Sequence, residues 1–297
     1  MYPRPFHYHR ASSLHEASAM LSEFGDDAKL LAGGQSLIPL MKLRYANPSH
    51  LVDLNFIPGT SYIKEENGML RFGALTRHAE IEAATAAAGI PIIHDCAAGI
   101  ADVQVRNRGT IGGSLAEADP SGDWATVLMT LETEVKCQKG KVERRVQLAD
   151  FIKDAYTTAL AHDELVSEVV VKTPPKGSSG AYLAFKRSAP VYPTASAAVQ
   201  LTMDAEICKD AAIALGCVGL TAIKAKDAEA ALRGQRLTEK TITAAGEAVR
   251  AAVDPQSDMR GSADYKRTLV GSLVKRAIDV ALRRSRGEQI EISHIYA

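Results

Sequence analysis

The chain has 297 residues, 46% of them hydrophobic and 5% aromatic, which suits two domains, or one domain with an appended smaller one, with ample material for a core. Its 35 Lys and Arg balance its 35 Asp and Glu, which leaves no basic footprint for nucleic acid or an anionic membrane. No apolar stretch approaches the roughly 18 residues of a membrane span, and Met1 to Ser13 lacks the apolar core of a secretory signal, so the chain is expected to be cytoplasmic.

In chain order, Lys29 to Leu31 predicts a short strand, Leu37 to Leu43 a short helix and His50 to Leu54 a second strand. Ser61 to Lys64 and Met69 to Phe72 flank Glu66-Asn67-Gly68, a hairpin signal. Thr76 suits the N-cap of a helix running to about Ala88, with Gly89 and Pro91 ending it. Pro120 to Leu131 reads as a helix with Trp124, Val127, Leu128 and Leu131 on one face. Strands are expected at Glu134 to Cys137, Lys141 to Val146 and Leu165 to Lys172. The tract Pro174 to Gly180 then breaks the pattern and marks the expected domain boundary. Beyond it come strands at Ala181 to Arg187, Ala195 to Met203 and Ala211 to Val218. Helices follow near Ile223 to Leu232, Thr238 to Val253 and Asp264 to Arg284. The last sets Tyr265, Leu269, Leu273, Ala277 and Ala281 on one face, with Lys266, Arg267, Lys275, Arg276 and Arg283 as a solvated stripe opposite.

Two glycine pairs carry the chemical signal: Ala32-Gly33-Gly34-Gln35-Ser36 and Thr110-Ile111-Gly112-Gly113-Ser114. Adjacent glycines permit positive φ and remove the Cβ that would hold a ligand off the backbone. Successive amides can then converge on one anion, with a hydroxyl completing the cradle. Two such loops suit the two phosphates of a dinucleotide. Neither fits G-x-G-x-x-G, and no P-loop occurs. Gly34-Gln35-Ser36-Leu37-Ile38 lacks the second glycine of a nucleophile elbow, and the pattern opened by His15-Glu16 ends at Ala19 rather than a zincin histidine. Cys96, Cys137, Cys208 and Cys217 are far apart with no C-x-x-C, so they are expected to be buried, inert thiols and no metal site is expected in this chain.

Leu31 to Pro39 with Lys42-Leu43-Arg44, Leu51 to Asn55, Gly73 to Thr76, Arg106 to Ser114 continuing to Asp119 to Asp123, and, more weakly, Phe185-Lys186-Arg187 together resemble one family, the FAD-binding medium subunit of the molybdenum hydroxylases such as xanthine dehydrogenase and carbon monoxide dehydrogenase. The resemblance implies an α+β fold: an FAD-binding domain of the PCMH/vanillyl-alcohol-oxidase type built from two α/β subdomains, plus an α/β C-terminal domain. The corresponding boundaries are 1–175, with subdomains of about 1–56 and 57–175, and 181–286 for the flavoprotein-type C-terminal domain.

By that resemblance FAD is held noncovalently, since no His or Cys stands where an attachment is needed. Leu31, Ala32, Gly33, Gly34, Gln35, Ser36 and Leu37 hold the pyrophosphate on one side, and Thr110, Ile111, Gly112, Gly113 and Ser114 on the other. Gln35 departs from the His, Asn or Thr of relatives, which leaves its backbone role intact. Asp123 is expected on the adenosine ribose and Lys186 at the flavin pyrimidine edge. Val166 and Ile100 are expected against the cofactor, and Tyr192 over a face of the ring.

No catalytic residue acts on the organic substrate in this reading. A large partner subunit holds molybdopterin, a small one holds two [2Fe–2S] clusters, and the assembly is a dimer of heterotrimers. Electrons pass from the clusters through FAD to NAD⁺, a quinone or dioxygen. The rival readings are a free-standing flavoprotein oxidoreductase of the same fold with its own substrate pocket, and a nucleotide-binding scaffold without redox chemistry.

Overall fold

The computed structural model describes residues 2–85, 89–189 and 191–292. They form two compact units that interleave along the chain. Met1–Glu80, Val103–Ala118 and Thr133–Val171 make the first; Ile81–Asp102, Asp119–Glu132 and Lys172–Ala297 make the second.

The first unit holds two main sheets. A parallel three-stranded sheet runs in the order His7–Arg10, His50–Asp53, Ala28–Leu31, with His50 opposite both His7 and Ala28. Helix Leu14–Phe24 precedes the Ala28–Leu31 strand; Ser13 caps it by accepting from the Glu16 amide at 3.1 Å, and Glu16 accepts in return from the Ser12 amide at 2.7 Å. Helix Leu37–Leu43 ends at Arg44, whose φ of 64° closes the turn. The second sheet runs Ile63–Glu66, Met69–Gly73, Leu165–Lys172, Thr133–Lys139, Val142–Gln147. Its central strand, Leu165–Lys172, is buried up to Val171. A bulge between Val166 and Glu168 turns the Glu168 carboxylate onto Tyr62 Oη, at 2.5 Å, and the Arg71 fork, at 2.9 and 2.7 Å, which satisfies a buried charge.

The second unit is built on an antiparallel sheet, Ser178–Phe185, Ala195–Asp204, Ile207–Gly216 and Ile223–Lys224. Period-2 alternation splits its residues between two faces. Ala195, Ala197, Val199, Leu201, Ile213 and Leu215 meet helices Lys226–Leu232, Glu239–Ala252 and Ala263–Ser285. Helices Pro91–Gly99 and Asp123–Leu128 also pack on this sheet.

Several sequence expectations change. The helix expected from Pro120 is Asp123–Leu128, because Asp119 accepts from the Ser121 amide at 2.8 Å and holds the preceding residues in a turn. The helix expected from Thr76 runs His78–Thr85, and its expected end at 86–88 lies outside the described residues. Helix Ala263–Ser285 reverses its first turn: Tyr265 is exposed, whereas Lys266 is buried and donates to the Gln256 carbonyl at 2.9 Å beside Asp258 at 2.8 Å. The 254–262 segment folds over that turn and supplies those oxygens. Cys96, Cys137 and Cys208 are buried as expected, while Cys217 is only half-buried. The three- and five-stranded sheets lie in one compact unit, and 81–102 and 119–132 group with the C-terminal half.

Candidate cofactor-binding site

Strand Ala28–Leu31 delivers the chain to the first glycine pair, and helix Leu37–Leu43 leaves it. Gly34 has φ of 75°, the left-handed conformation expected of such a pair. Gly33 does not; it is glycine because a Cβ there would overlap the carbonyl of Arg108 and sit 2.8 Å from Gly109 Cα. The two glycine-bearing segments therefore touch, backbone to backbone. Among the described residues, no group accepts a hydrogen bond from the amides of Gly33, Gly34, Gln35, Ser36 or Leu37. That row of donors, next to a surface without Cβ atoms, fits an anionic diphosphate.

The second pair is not a turn. Gly112 and Gly113 stand in the first turn of helix Ile111–Glu117, whose N-cap Thr110 accepts from the Gly113 amide at 3.1 Å. The neighbouring amides are also committed: Ile111 to the Thr76 carbonyl at 3.1 Å, Gly112 to Ala74 at 3.0 Å and Ser114 to Thr110 at 3.0 Å. The expectation that this segment presents a second set of amide donors is thus corrected: between Ile111 and Ser114 it offers hydroxyls and close approach. Gly112 is required because a Cβ would lie 2.6 Å from Ala74 Cβ. This gives the Gly73-Ala74-Leu75-Thr76 stretch its purpose, as the platform that receives the second pair.

Sequence reasoning assigned no role to three residues that hold these loops. Asn55 Nδ2 donates to the Ala32 carbonyl at 2.8 Å and to Asp53 Oδ1 at 2.6 Å. Arg77 donates to Asn55 Oδ1 and to the Arg108 carbonyl. Burial, with Arg108 adding to it, draws the Arg77 guanidinium below its ordinary pKa. The signal was the Asp53-Leu54-Asn55 end of a matched stretch, where a polar pair closes a buried strand.

Val166 lies in the first unit, buried on the central strand opposite Cys137. The remaining candidates lie in the second. Ile100 follows helix Pro91–Gly99 and is buried, and Tyr192 is exposed in the loop after strand Ser178–Phe185, two residues after Pro190, which lies outside the described residues. Asp123 and Lys186 come together: both are buried, and Lys186 Nζ lies 4.0 Å from Asp123 Oδ1. Tyr182 Oη donates to the same oxygen at 2.6 Å, and Lys186 donates to the Gly99 carbonyl. Burial, then the Asp123 charge, pushes the Tyr182 phenol well above its usual pKa, so it remains a donor. Asp123, expected on the ribose, and Lys186, expected at the flavin edge, thus stand within ion-pair range of each other. Among the described residues, no three His, Cys, Asp or Glu side chains are grouped to hold a metal ion.

Residues 4–174 match the FAD binding domain in molybdopterin dehydrogenase, and residues 180–281 the CO dehydrogenase flavoprotein C-terminal domain. The chain is 38% identical over 296 residues to the 6-hydroxypseudooxynicotine dehydrogenase complex subunit alpha of Paenarthrobacter nicotinovorans, covering 99% of this chain and 100% of that one. It is 38% identical to the carbon monoxide dehydrogenase medium chain of Hydrogenophaga pseudoflava, covering 96% and 99%. The structure of quinoline 2-oxidoreductase from Pseudomonas putida 86 superposes with a TM-score of 0.91 at 33% identity, over 96% of this chain and 99% of that chain. The chain therefore belongs to the FAD-binding medium-chain family of the molybdenum hydroxylases, whose members are subunits of oxidoreductase complexes. Its cofactor is FAD. Among the described residues, no helix is long and apolar enough to cross a membrane.

Proposed function

We propose that this chain is the electron outlet of its complex, carrying electrons from the [2Fe–2S] clusters of a small partner subunit to NAD⁺, a quinone or dioxygen. A large partner subunit holds the molybdopterin and oxidises the organic substrate, and the assembly is a cytoplasmic dimer of heterotrimers. The observation that carries the reading is the row of uncommitted amides from Gly33 to Leu37 beside a glycine-lined second segment. These donors bind the diphosphate, and their strength rises because the acceptor is anionic. Thr110 and Ser114 add hydroxyls from the second segment. Bound FAD supplies a centre that takes electrons singly and gives them up as a pair. The protein's part is to hold it and keep it oriented.

Substrate choice lies elsewhere in the complex on this reading. Two relatives at equal identity, 38%, are named for different compounds, carbon monoxide and 6-hydroxypseudooxynicotine. The test is purification of the native complex with cofactor and metal analysis, alongside the chain expressed alone. The chain alone should release FAD, about one per chain, into the supernatant on acid precipitation, and should pass electrons from an artificial donor to an artificial acceptor without oxidising the organic substrate. Flavin retained in the pellet, FMN in place of FAD, or turnover of the organic substrate by the isolated chain would overturn the reading.

A further inference from the structure

We propose that Asn55 and Arg77 form a latch that fixes the diphosphate-binding loop in its binding shape, making both of them positioning residues for FAD. The proposal rests on the assignment of 33–37 as the donor row. The described peptide bonds are trans, so each carbonyl points away from the N–H of the same peptide. Asn55 Nδ2 takes the Ala32 carbonyl at 2.8 Å, and that peptide's N–H is Gly33's, the first of the uncommitted donors. Pinning the oxygen aims the amide the other way, out of the Asn55 side of the loop.

The Asn55 amide is itself oriented from both ends. Asp53 Oδ1 accepts from Nδ2 at 2.6 Å and from the Asn55 backbone amide at 2.8 Å, which leaves Oδ1 of Asn55 for Arg77. Tyr8 Oη holds the second oxygen of Asp53 at 2.6 Å. Arg77 uses its other nitrogen on the Arg108 carbonyl, the oxygen a Cβ on Gly33 would strike. One guanidinium thus joins the two glycine-bearing segments through a carbonyl on one side and a side-chain amide on the other. Without the latch the loop must find its binding shape while FAD binds, at an entropic cost that a preorganised loop avoids.

The arrangement separates a latch from a simple attraction of phosphate by positive charge. Lys keeps the charge of Arg77 but has no planar fork to reach two acceptors. The experiment measures FAD and ADP dissociation constants on the full chain stripped of flavin, for wild type, Asn55→Ala, Arg77→Lys, Arg77→Gln and the Asn55→Ala/Arg77→Lys double variant. Thermal midpoints of the flavin-free proteins are recorded beside them. Each single variant should weaken FAD at least tenfold, ADP should weaken by the same factor, and the double variant should be no worse than the worse single one. Flavin-free midpoints should stay close to wild type. Wild-type FAD affinity in Asn55→Ala, or Arg77→Lys matching wild type while Arg77→Gln fails, would overturn the latch. So would a midpoint that falls in step with affinity, which places the pair in the fold rather than in the loop. A wild-type chain that binds neither FAD nor ADP would instead overturn the reading of the donor row, and the latch with it.

Discussion

A methyl group on Gly33 has nowhere to go, because the Arg108 carbonyl and Gly109 Cα already occupy the space. Gly33→Ala must therefore push the two glycine-bearing segments apart, and the expected result is a folded chain holding less than about a tenth of the wild-type flavin, read from visible absorbance against circular dichroism. Gly34→Ala acts differently: φ of 75° costs an alanine about 1–2 kcal/mol, and its Cβ would meet side-chain atoms only, Ile38 Cγ1 at 3.0 Å and the movable Leu31 Cδ1 at 3.1 Å. It should lower the thermal midpoint while retaining more flavin than Gly33→Ala. Asp123 and Lys186 make a sharper pair. Each is almost wholly enclosed, so removing one leaves the other charged and unpaired, a loss of about 3–5 kcal/mol. Asp123→Ala and Lys186→Met should each destabilise the chain strongly, and the double replacement should cost clearly less than the sum of the two. Denaturant titration of the three variants checks this; additive losses would show that the two side chains do not depend on each other.

His78, at the head of helix His78–Thr85, ties an element to pH. Burial, with Arg77 and Arg106 adding to it, draws its imidazole down to about 3. The folded state thus keeps His78 neutral where the unfolded chain, with an ordinary value near 6.5, takes up a proton. Its contribution is fully present above pH 6.5 and is lost as pH falls toward 3, at about 1.4 kcal/mol per pH unit. Urea unfolding of the flavin-free chain at pH 7 and pH 5 should show this slope, and His78→Gln should be shallower by about one proton's worth. The elements nearby also show what a sequence can reveal. Helix Leu37–Leu43 lies where its apolar spacing put it, and the Asn67-Gly68 hairpin and the strand at His50 are close to expectation. Helix Leu14–Phe24 was missed because Ala17 and Ser18 do much of its burying, too small to make an apolar stripe. Helix Ile111–Glu117 stands where the glycine pair predicts a loop, because glycine is a poor helix former, yet Gly112 is there to rest on Ala74, a contact distant in sequence. The first loop was legible because its donors are local. Its supports, Asn55 and Arg77, come from elsewhere in the chain and were not.

At the scale of the molecule, the two family matches meet at the expected break near Pro174 to Gly180, whereas the compact units interleave along the chain. Residues 81–102 and 119–132 belong with the sheet that begins at Ser178. Helix Pro91–Gly99 packs on that sheet, and its Asp95 holds Arg284 at 2.6 and 2.9 Å and the Tyr182 amide at 3.1 Å. A fragment ending at Lys176 would expose Ile92, Ile93, Cys96 and Trp124, all buried in the full chain. Fragments 1–176 and 177–297 should each fail to fold alone and should recover flavin binding only when refolded together; sharp unfolding of 1–176 by itself would refute this. The same interleaving has a meaning for the nascent chain. Helix Pro91–Gly99 leaves the ribosome well before strands Ser178–Phe185 and Ala195–Asp204, which will cover it. At ~5–20 residues per second, its apolar face stands open for on the order of ten seconds. During that interval the nascent chain carries an uncovered apolar face before any cofactor can bind.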